Sequence, residues 1–286
     1  MIIVREIKKM QKISDEKRRE GKIIGFVPTM GALHEGHLEL IRTARKKTDF
    51  VVVSIFVNPI QFGPKEDYRD YPRDEEGDFE KCKREGVDCV FVPHVGEMYE
   101  ENFSTYVEVE GLTEGLCGKY RPGHFRGVTT VVAKLFNIVR PHLAFFGWKD
   151  AQQLLVIKRM TRDLNFDIEV VGVETVREKD GLAMSSRNWY LNEGERKQAP
   201  YLYKALLYGK EIIEKGERNA EKLKEEIKKF ISKNVPLGKI QYVEIVDIEN
   251  LKPLKKIKGD IMIALAVFIG KARLIDNIRL KVHDRR

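Results

Sequence analysis

Residues 27–41, VPTMGALHEGHLELI, set His34 and His37 three positions apart, behind Gly31 and around Gly36, between an apolar strand pattern and an apolar helix pattern. The start of a helix carries unpaired backbone N–H groups and the positive end of the helix dipole, so it holds anions. His37 falls where the helix opens, so its imidazole and those N–H groups face one point. Glycine lets a backbone approach a ligand closely. Phosphate is the favoured ligand on these grounds, with a protonated imidazole stabilising charge that builds up between phosphates. Metal ligation and plain core packing are the weaker alternatives. The zinc motif of a helix needs histidines at i and i+4, and no third ligand lies nearby.

Four further stretches carry polar residues of useful types. In FVNPIQFGPKEDYRDYPRD (56–74), Asn58 and Gln61 follow an apolar run. Their amides donate and accept, which suits a hydroxy acid better than a phosphate; an Asn-Pro turn beside an idle Gln is the plainer reading. In GKYRPGHFRGVTTVVAKLFN (118–137), Arg121 and Arg126 flank a Pro-Gly turn. They read either as a basic surface turn or as a carboxylate clamp, since guanidinium matches carboxylate geometry. In FFGWKDAQQLLVIKRM (145–160), Asp150 reads as a helix N-cap with Lys149 beside it and Gln153 one turn on. In GLAMSSRNWYL (181–191), Ser185, Ser186 and Arg187 sit in a loop-like connector and can donate to triphosphate oxygens. An ordinary linker would look much the same.

These stretches have a common address. Apolar runs at 22–27, 50–57, 88–92, 142–147 and 166–173 read as strands, the second apolar nearly throughout as a strand buried on both faces should be. Amphipathic patterns at 37–48, 74–86, 127–139 and 150–163 read as helices between them. Such alternation predicts right-handed crossovers and an α/β, doubly wound parallel (Rossmann-like) sheet. Ligands of such sheets bind beyond the carboxyl ends of the strands, and the unusual loops all follow strands. The pattern changes near residue 176. Helices are expected at 192–216, with Asn192 and Glu195 as a capping box, and at 219–233, then strands near 239–247, 261–269 and 272–280. The expected organisation is therefore a first domain over 1–176 and a smaller α+β domain over 177–286.

Composition narrows the function classes. The chain has 286 residues and no run near the roughly 18 apolar residues of a membrane span; the longest, IMIALAVFI, reads as a buried strand. In the N-terminal MIIVREIKKMQK the basic residues follow the apolar ones, unlike a signal peptide, so a cytoplasmic protein is expected. Three cysteines, Cys82, Cys89 and Cys117, match no zinc or redox spacing and read as reduced thiols. The net charge of +8 invites a nucleic-acid partner. Its excess lies wholly after residue 176, where 25 basic residues face 16 acidic ones alternating with apolar positions. That pattern reads as solvated faces, and a small anionic substrate accounts for the rest.

PTMGALHEGH resembles the HxGH signature of the nucleotidylyltransferase superfamily, and the longer string resembles the pantoate–β-alanine ligase family. FVNPIQF with YPR, RPGHFRGV, GWKDAQQ and MSSRN resemble that family's other motifs, in its order, from about Gly25 to Asn188. MSSRN stands where class I tRNA synthetases carry KMSKS, and its lack of those lysines speaks against a synthetase of that kind. The resemblance implies ATP-dependent condensation of (R)-pantoate with β-alanine to pantothenate, AMP and pyrophosphate through pantoyl adenylate, in a homodimer. It implies catalytic roles for His34, His37, Lys149 and Arg187. ATP contacts are implied for Met30, Gly31, Ala32, Leu33, His34, Glu35, Gly36, His37, Gly147, Trp148, Lys149, Asp150, Val176, Met184, Ser185, Ser186 and Arg187. Pantoate contacts are implied for Asn58, Gln61, Arg121 and Gln153, with Gln61 also meeting β-alanine. Mg²⁺ would arrive on the ATP phosphates, with no protein-held metal, no nucleic acid and no membrane as partners.

The connector and the second domain are the candidate lid, because an acyl adenylate must be kept from water. Two alternatives stand beside this reading. Another HxGH adenylyltransferase would move AMP onto a phosphate ester and would not need Asn58, Gln61 and Gln153. A non-catalytic basic RNA-binding protein would show basic surfaces studded with aromatics, and only Trp189 and Tyr190 beside Arg187 hint at that.

Overall fold

A computed structural model describes residues 1–64 and 66–283. The chain divides into two units. The first holds Met1–Glu110, Arg121–Trp148 and Gln153–Glu174; the second holds Gly111–Tyr120, Lys149–Gln152 and the chain from Thr175 onward.

In chain order the first unit carries β1 (Ile2–Val4), α1 (Ile7–Arg19), β2 (Ile24–Thr29), α2 (Glu35–Lys47), β3 (Phe50–Ile55), a 3-10 turn (Pro59–Gln61), α3 (Glu75–Arg84), β4 (Cys89–Phe91) and α4 (Val95–Met98). After a short α5 (Leu116–Tyr120), which belongs to the second unit, come α6 (His124–Val139), β5 (Leu143–Gly147), α7 (Ala151–Asp163), whose first two residues group with the second unit, and β6 (Glu169–Val173). The six strands form one sheet in the order β1-β4-β3-β2-β5-β6, every pair parallel. Period-two alternation feeds two cores. Phe26, Val52, Cys89, Phe91, Ala144 and Phe146 face α1, α6 and α7. Val27, Val51, Val53, Val90 and Phe145 face α2 and α3. Both faces are covered, so β3 is buried at all six positions, as its apolar run requires.

The strand order reverses between β2 and β5, and the ladder there is short. It pairs only Gly25 with Leu143 and Phe26 with Ala144, whereas β2 pairs with β3 at six positions and β5 with β6 at five. Past Phe26 and Ala144 each strand runs on for three residues without the other. The sheet therefore splits at its carboxyl edge, where an open parallel sheet binds its ligand.

In the second unit, α8 (Glu193–Gln198), α9 (Tyr201–Glu214) and α10 (Ala220–Asn234) precede an antiparallel sheet of β7 (Gly238–Asp247), β8 (Gly259–Ile269) and β9 (Ala272–Val282). Leu202, Leu206, Leu223, Ile227 and Ile231 from the helices pack with Ile263, Leu265 and Val267 of the sheet. IMIALAVFI is the central strand, β8. The single helix expected over 192–216 is two helices. Asn192 and Glu195 form the reciprocal capping box, but Pro200 lacks the N–H needed to continue past it and its ring crowds the preceding turn.

The segments 111–120 and 149–152 join this unit because Gln152 stitches them together. Its amide nitrogen donates to the Leu112 and Gly115 carbonyls at 2.9 Å each, and its oxygen accepts from the Cys117 N–H at 2.9 Å. Tyr120 stacks on Tyr242, and Asn277 donates to the Lys149 carbonyl. The three cysteines are free and buried; burial pushes the Cys82 and Cys89 thiols up to about 12. Among the described residues no helix is long and apolar enough to cross a membrane. β1 and α1 had no place in the sequence reading: a three-residue strand is too short for a period, and α1 has only Met10 and Ser14 buried.

Candidate active site

At the end of β2, the Thr29 hydroxyl donates to the Ser54 carbonyl at 2.7 Å and accepts from the Gly31 N–H at 3.2 Å. The chain then turns through two left-handed residues, Gly31 (φ 84°) and Ala32 (φ 50°). The buried Asp78 carboxylate, from α3, accepts the next two amides: Ala32 N–H on Oδ2 and Leu33 N–H on Oδ1, both at 2.7 Å. Burial pushes the Asp78 carboxyl above its ordinary value, partly offset by those two bonds and by Lys81.

His34 is the N-cap of α2. Its Nδ1 accepts from the Gly36 N–H at 3.1 Å, while Nδ1 of His37 accepts from the His34 N–H at 3.3 Å. The two side chains thus form a capping box, with ring centroids 4.0 Å apart. A backbone N–H only donates, so both Nδ1 atoms are acceptors and each ring carries its proton on Nε2. In this neutral tautomer the two rings carry Nε2–H donors at a helix N-terminus. Glu35 and Gly36 follow the cap, and Glu35 is paired with Arg42.

Asn58 and Gln61 lie beyond β3, and both are buried. The Tyr99 hydroxyl donates to Asn58 Oδ1 at 2.7 Å. Asn58 Nδ2 then donates to Gln61 Oε1 at 2.9 Å and to the Gly127 carbonyl at 3.1 Å. With its oxygen taken, Gln61 is oriented as a donor, and its Nε2 lies 3.2 Å from Met30 Sδ. Burial pushes the Tyr99 phenol well above its usual range, so it stays a donor. Gly127 permits this turn: a Cβ there would overlap the Ile60 carbonyl oxygen and lie 2.6 Å from Gln61 Cα.

Arg121 does hold a carboxylate, and it is the protein's own. Its Nε and Nη2 donate to Glu66 at 2.6 Å each, and Nη1 lies 3.0 Å from His124 Nε2. Guanidinium only donates, so His124 accepts on Nε2 and donates from Nδ1 to the Gln61 carbonyl at 2.9 Å. Burial pushes the Glu66 carboxyl up, but the guanidinium outweighs it and holds it at about 2. At the end of β5, Gly147 leads to Trp148, whose indole Nε1 would lie 2.5 Å from a Cβ at Gly172; Gln153 stands in the first turn of α7.

The other expected residues belong to the second unit. Lys149 Nζ is 3.6 Å from Asp150. Asp150 closes a 3-10 turn, Trp148–Asp150, that runs straight into α7, so the expected N-cap lies inside a continuous helical stretch. The Val176 carbonyl accepts from the Met184 N–H at 3.0 Å, and Arg177 bridges to Ala183. This small ribbon is anchored by Arg177, paired with the buried Asp276 at 2.6 Å and stacked on Tyr203. Ser185 then caps a 3-10 turn, Ser186–Tyr190, its hydroxyl accepting from the Arg187 N–H at 3.3 Å. Sequence reasoning missed Asp78, Tyr99, Glu66, His124 and the Arg177–Asp276 pair. Only His124 had a signal, its place in RPGHF.

A parallel sheet splits at its strand-order reversal, and a helix capped by an HxGH histidine pair starts beside the split, an arrangement that fits an α/β nucleotide-using enzyme. The family model described as pantoate-beta-alanine ligase matches residues 2–279. The pantothenate synthetase of Carboxydothermus hydrogenoformans is 60% identical over 278 residues, 97% of this chain and 98% of the relative; that of Thermosipho melanesiensis is 58% identical over 97% and 99%. The crystal structure of pantothenate synthetase from Thermus thermophilus matches with a TM-score of 0.91 at 48% identity, covering 97% of this chain and 99% of that one. A pantoate-beta-alanine ligase from Francisella tularensis, solved with beta-gamma ATP and β-alanine, matches with a TM-score of 0.79 at 35% identity, covering 97% of each chain. The chain belongs to the pantoate–β-alanine ligase family. It is a ligase, which decides against both alternatives that the sequence left standing.

The Glu66–Arg121 pair gives the site a pH signature. A carboxyl held low in the folded state stabilises it above the ordinary carboxylate pKa, and that contribution is lost as pH falls through about 2. Glu66→Gln should cost about 2 kcal/mol at pH 7, with the gap from wild type closing toward pH 2. Urea denaturation across that range measures it; a gap that does not change with pH contradicts a charge-based contribution.

Proposed function

We propose that the chain joins (R)-pantoate to β-alanine in two steps at the split carboxyl edge of the six-stranded sheet. A carboxylate does not acylate an amine at neutral pH, because oxide is a poor leaving group, so it is first converted to an acyl phosphate anhydride. A pantoate carboxylate oxygen attacks the α-phosphorus of ATP, pyrophosphate leaves, and pantoyl adenylate forms. The β-alanine amine, unprotonated when it attacks, then adds to the acyl carbon. AMP leaves with the electron pair of the acyl–oxygen bond, and the amine proton passes to solvent.

The observation that carries this reading is the reciprocal cap of α2, in which Nδ1 of His34 and of His37 each accept a backbone N–H, so that the neutral rings carry their protons on Nε2. In-line displacement at phosphorus needs positioning and charge stabilisation more than a protein nucleophile. Two donors fixed by their own backbone need no reorganisation as charge builds on the phosphate oxygens. The turn through Met30, Gly31, Ala32 and Leu33, whose Gly31, Ala32 and Leu33 amides are held by Thr29 and Asp78, forms with Glu35 and Gly36 the wall that the nucleotide packs against, and Gly147 and Trp148 border the nucleotide across the split. Gln61 donates to pantoate and then orients β-alanine, backed by Asn58, while Gln153 binds pantoate. Arg121 acts through Glu66 and His124 to hold the Gln61 backbone.

Lys149, Ser185, Ser186 and Arg187 bind the triphosphate in this reading, Asp150 the ribose, and Val176 and Met184 the adenine. ATP is the substrate as its Mg²⁺ complex. A divalent ion that keeps its waters and binds through phosphates needs no protein cage. The second unit, with the connector at 177–192, acts as a lid that keeps the adenylate dry. A cytoplasmic homodimer completes the reading, by resemblance to the family.

Wild-type protein given ATP, Mg²⁺, pantoate and β-alanine should release AMP and pyrophosphate in equal amounts, and pyrophosphate release should not occur without pantoate. His37→Ala should slow adenylate formation about 10²–10³-fold, the loss typical of one oxyanion donor; a rate within threefold of wild type would reject its role. Amide exchange over 177–192 should slow when ATP and pantoate are both added, and unchanged exchange speaks against a lid. Sedimentation at twice the 33.2 kDa chain mass checks the dimer, and a single-chain mass refutes it.

A further inference from the structure

We infer that Asp78 is a positioning residue for the adenylation step, holding the turn at residues 31–33 in the one conformation that presents both imidazoles of the HxGH pair. The inference rests on the functional reading above. Asp78 lies on α3, outside every stretch that the sequence singled out, and is 1% exposed. Burying a carboxylate is costly unless it is fully hydrogen-bonded, so its placement needs a reason. Its two oxygens take the two successive amides of Ala32 and Leu33 at 2.7 Å. A backbone that passes through left-handed residues can turn successive N–H groups toward one point, which makes a concave anion nest.

Ala32 is a non-glycine residue at φ 50°, a conformation of order 1 kcal/mol above the ordinary ones. Two charge-assisted bonds to one anion fix it there. Gly31 is the complementary half of the device. A Cβ on it would sit 3.0 Å from Asp78 Oδ2 and 3.1 Å from Ile55 Cγ2, so a side chain would crowd the carboxylate, and its φ of 84° favours glycine in any case. Lys81 Nζ stands 3.7 Å from Oδ1 and balances the charge without displacing either amide. From Leu33 the chain passes directly into the cap of α2, where His34 and His37 hold one another through the backbone. A shift of the Leu33 peptide moves the His34 N–H and with it the donor that orients His37 Nδ1.

Asp78→Asn keeps the shape but turns one acceptor into a donor facing a donor. Adenylate formation, measured as pantoate-dependent pyrophosphate release, should fall about 30-fold or more through kcat, with the KM for pantoate within threefold. Reaction of β-alanine with pantoyl adenylate supplied ready-made should stay within threefold of wild type, because that half makes no demand on the pyrophosphate-facing donors. A merely structural role would slow both halves together. If Asp78→Asn does not fold, Asp78→Glu carries the same expectation, since one extra methylene cannot leave both amides in place. In wild type, the Ala32 and Leu33 amides should exchange with solvent at least about 100-fold more slowly than the Met30 amide. A folded variant that forms adenylate within threefold of wild type, equal slowing of both halves, or fast exchange at both amides overturns the proposal. A wild type that releases no pyrophosphate would instead overturn the functional reading, leaving the exchange result to stand or fall for Asp78.

Discussion

The site depends on one reciprocal interaction, in which two backbone N–H groups at the start of α2 each donate to Nδ1 of a histidine. His34 caps the Gly36 amide and His37 caps the His34 amide. An N-cap ordinarily uses a hydroxyl or carboxylate oxygen, whose chemistry ends with the cap. An imidazole that caps with one nitrogen has a second ring nitrogen, so in the proposed reading the residues that start the helix also supply N–H donors to a phosphate. The spacing of three is fixed by the capping geometry, which links the N-cap to the third helical position.

The sheet supplies the place for that contact. β2 and β5 are paired only at Gly25–Leu143 and Phe26–Ala144 and run on unpaired toward their carboxyl ends, so the loop after β2 leaves the sheet where it splits. Around it, each functional amide is held by a chain of bonds that leaves one polarity exposed. Tyr99 fixes Asn58, Asn58 fixes Gln61, and Gln61 is left as a donor. Glu66 fixes Arg121, Arg121 sets the tautomer of His124, and His124 holds the Gln61 carbonyl. Connected hydrogen-bond networks of this kind rigidify the groups they hold.

Much of this was legible in the sequence where the signal was local. β3 announced itself by an unbroken apolar run, and the histidine pair by its place between strand and helix. Asn192 and Glu195 were readable as a capping box because both partners lie within one turn. What was hidden depends on contacts made at long range. Asp78 sits among Glu75, Glu76 and Glu80 in what looks like a solvated acidic helix, and nothing in DEEGDFEK marks one carboxylate as buried. Glu66 and Arg121 are 55 residues apart, so the clamp chemistry of the arginine could be read but not the identity of its carboxylate. Gln152 sits beside Gln153 in the same motif, yet it serves to tie residues 112–117 to α7. The break at Pro200 was visible as a residue type but was outweighed by the continuous apolar pattern around it.

The tautomer of the two histidines is the claim on which the rest turns, and it is directly observable. Ring ¹⁵N resonances of His34 and His37, recorded at neutral pH on imidazole-labelled protein, distinguish a nitrogen that bears a proton from one that accepts. Both rings should show an unprotonated, hydrogen-bonded Nδ1 and a protonated Nε2. A proton on Nδ1 of either ring, alone or together with Nε2, would mean that the helix is not capped in this way and that the paired donors do not exist.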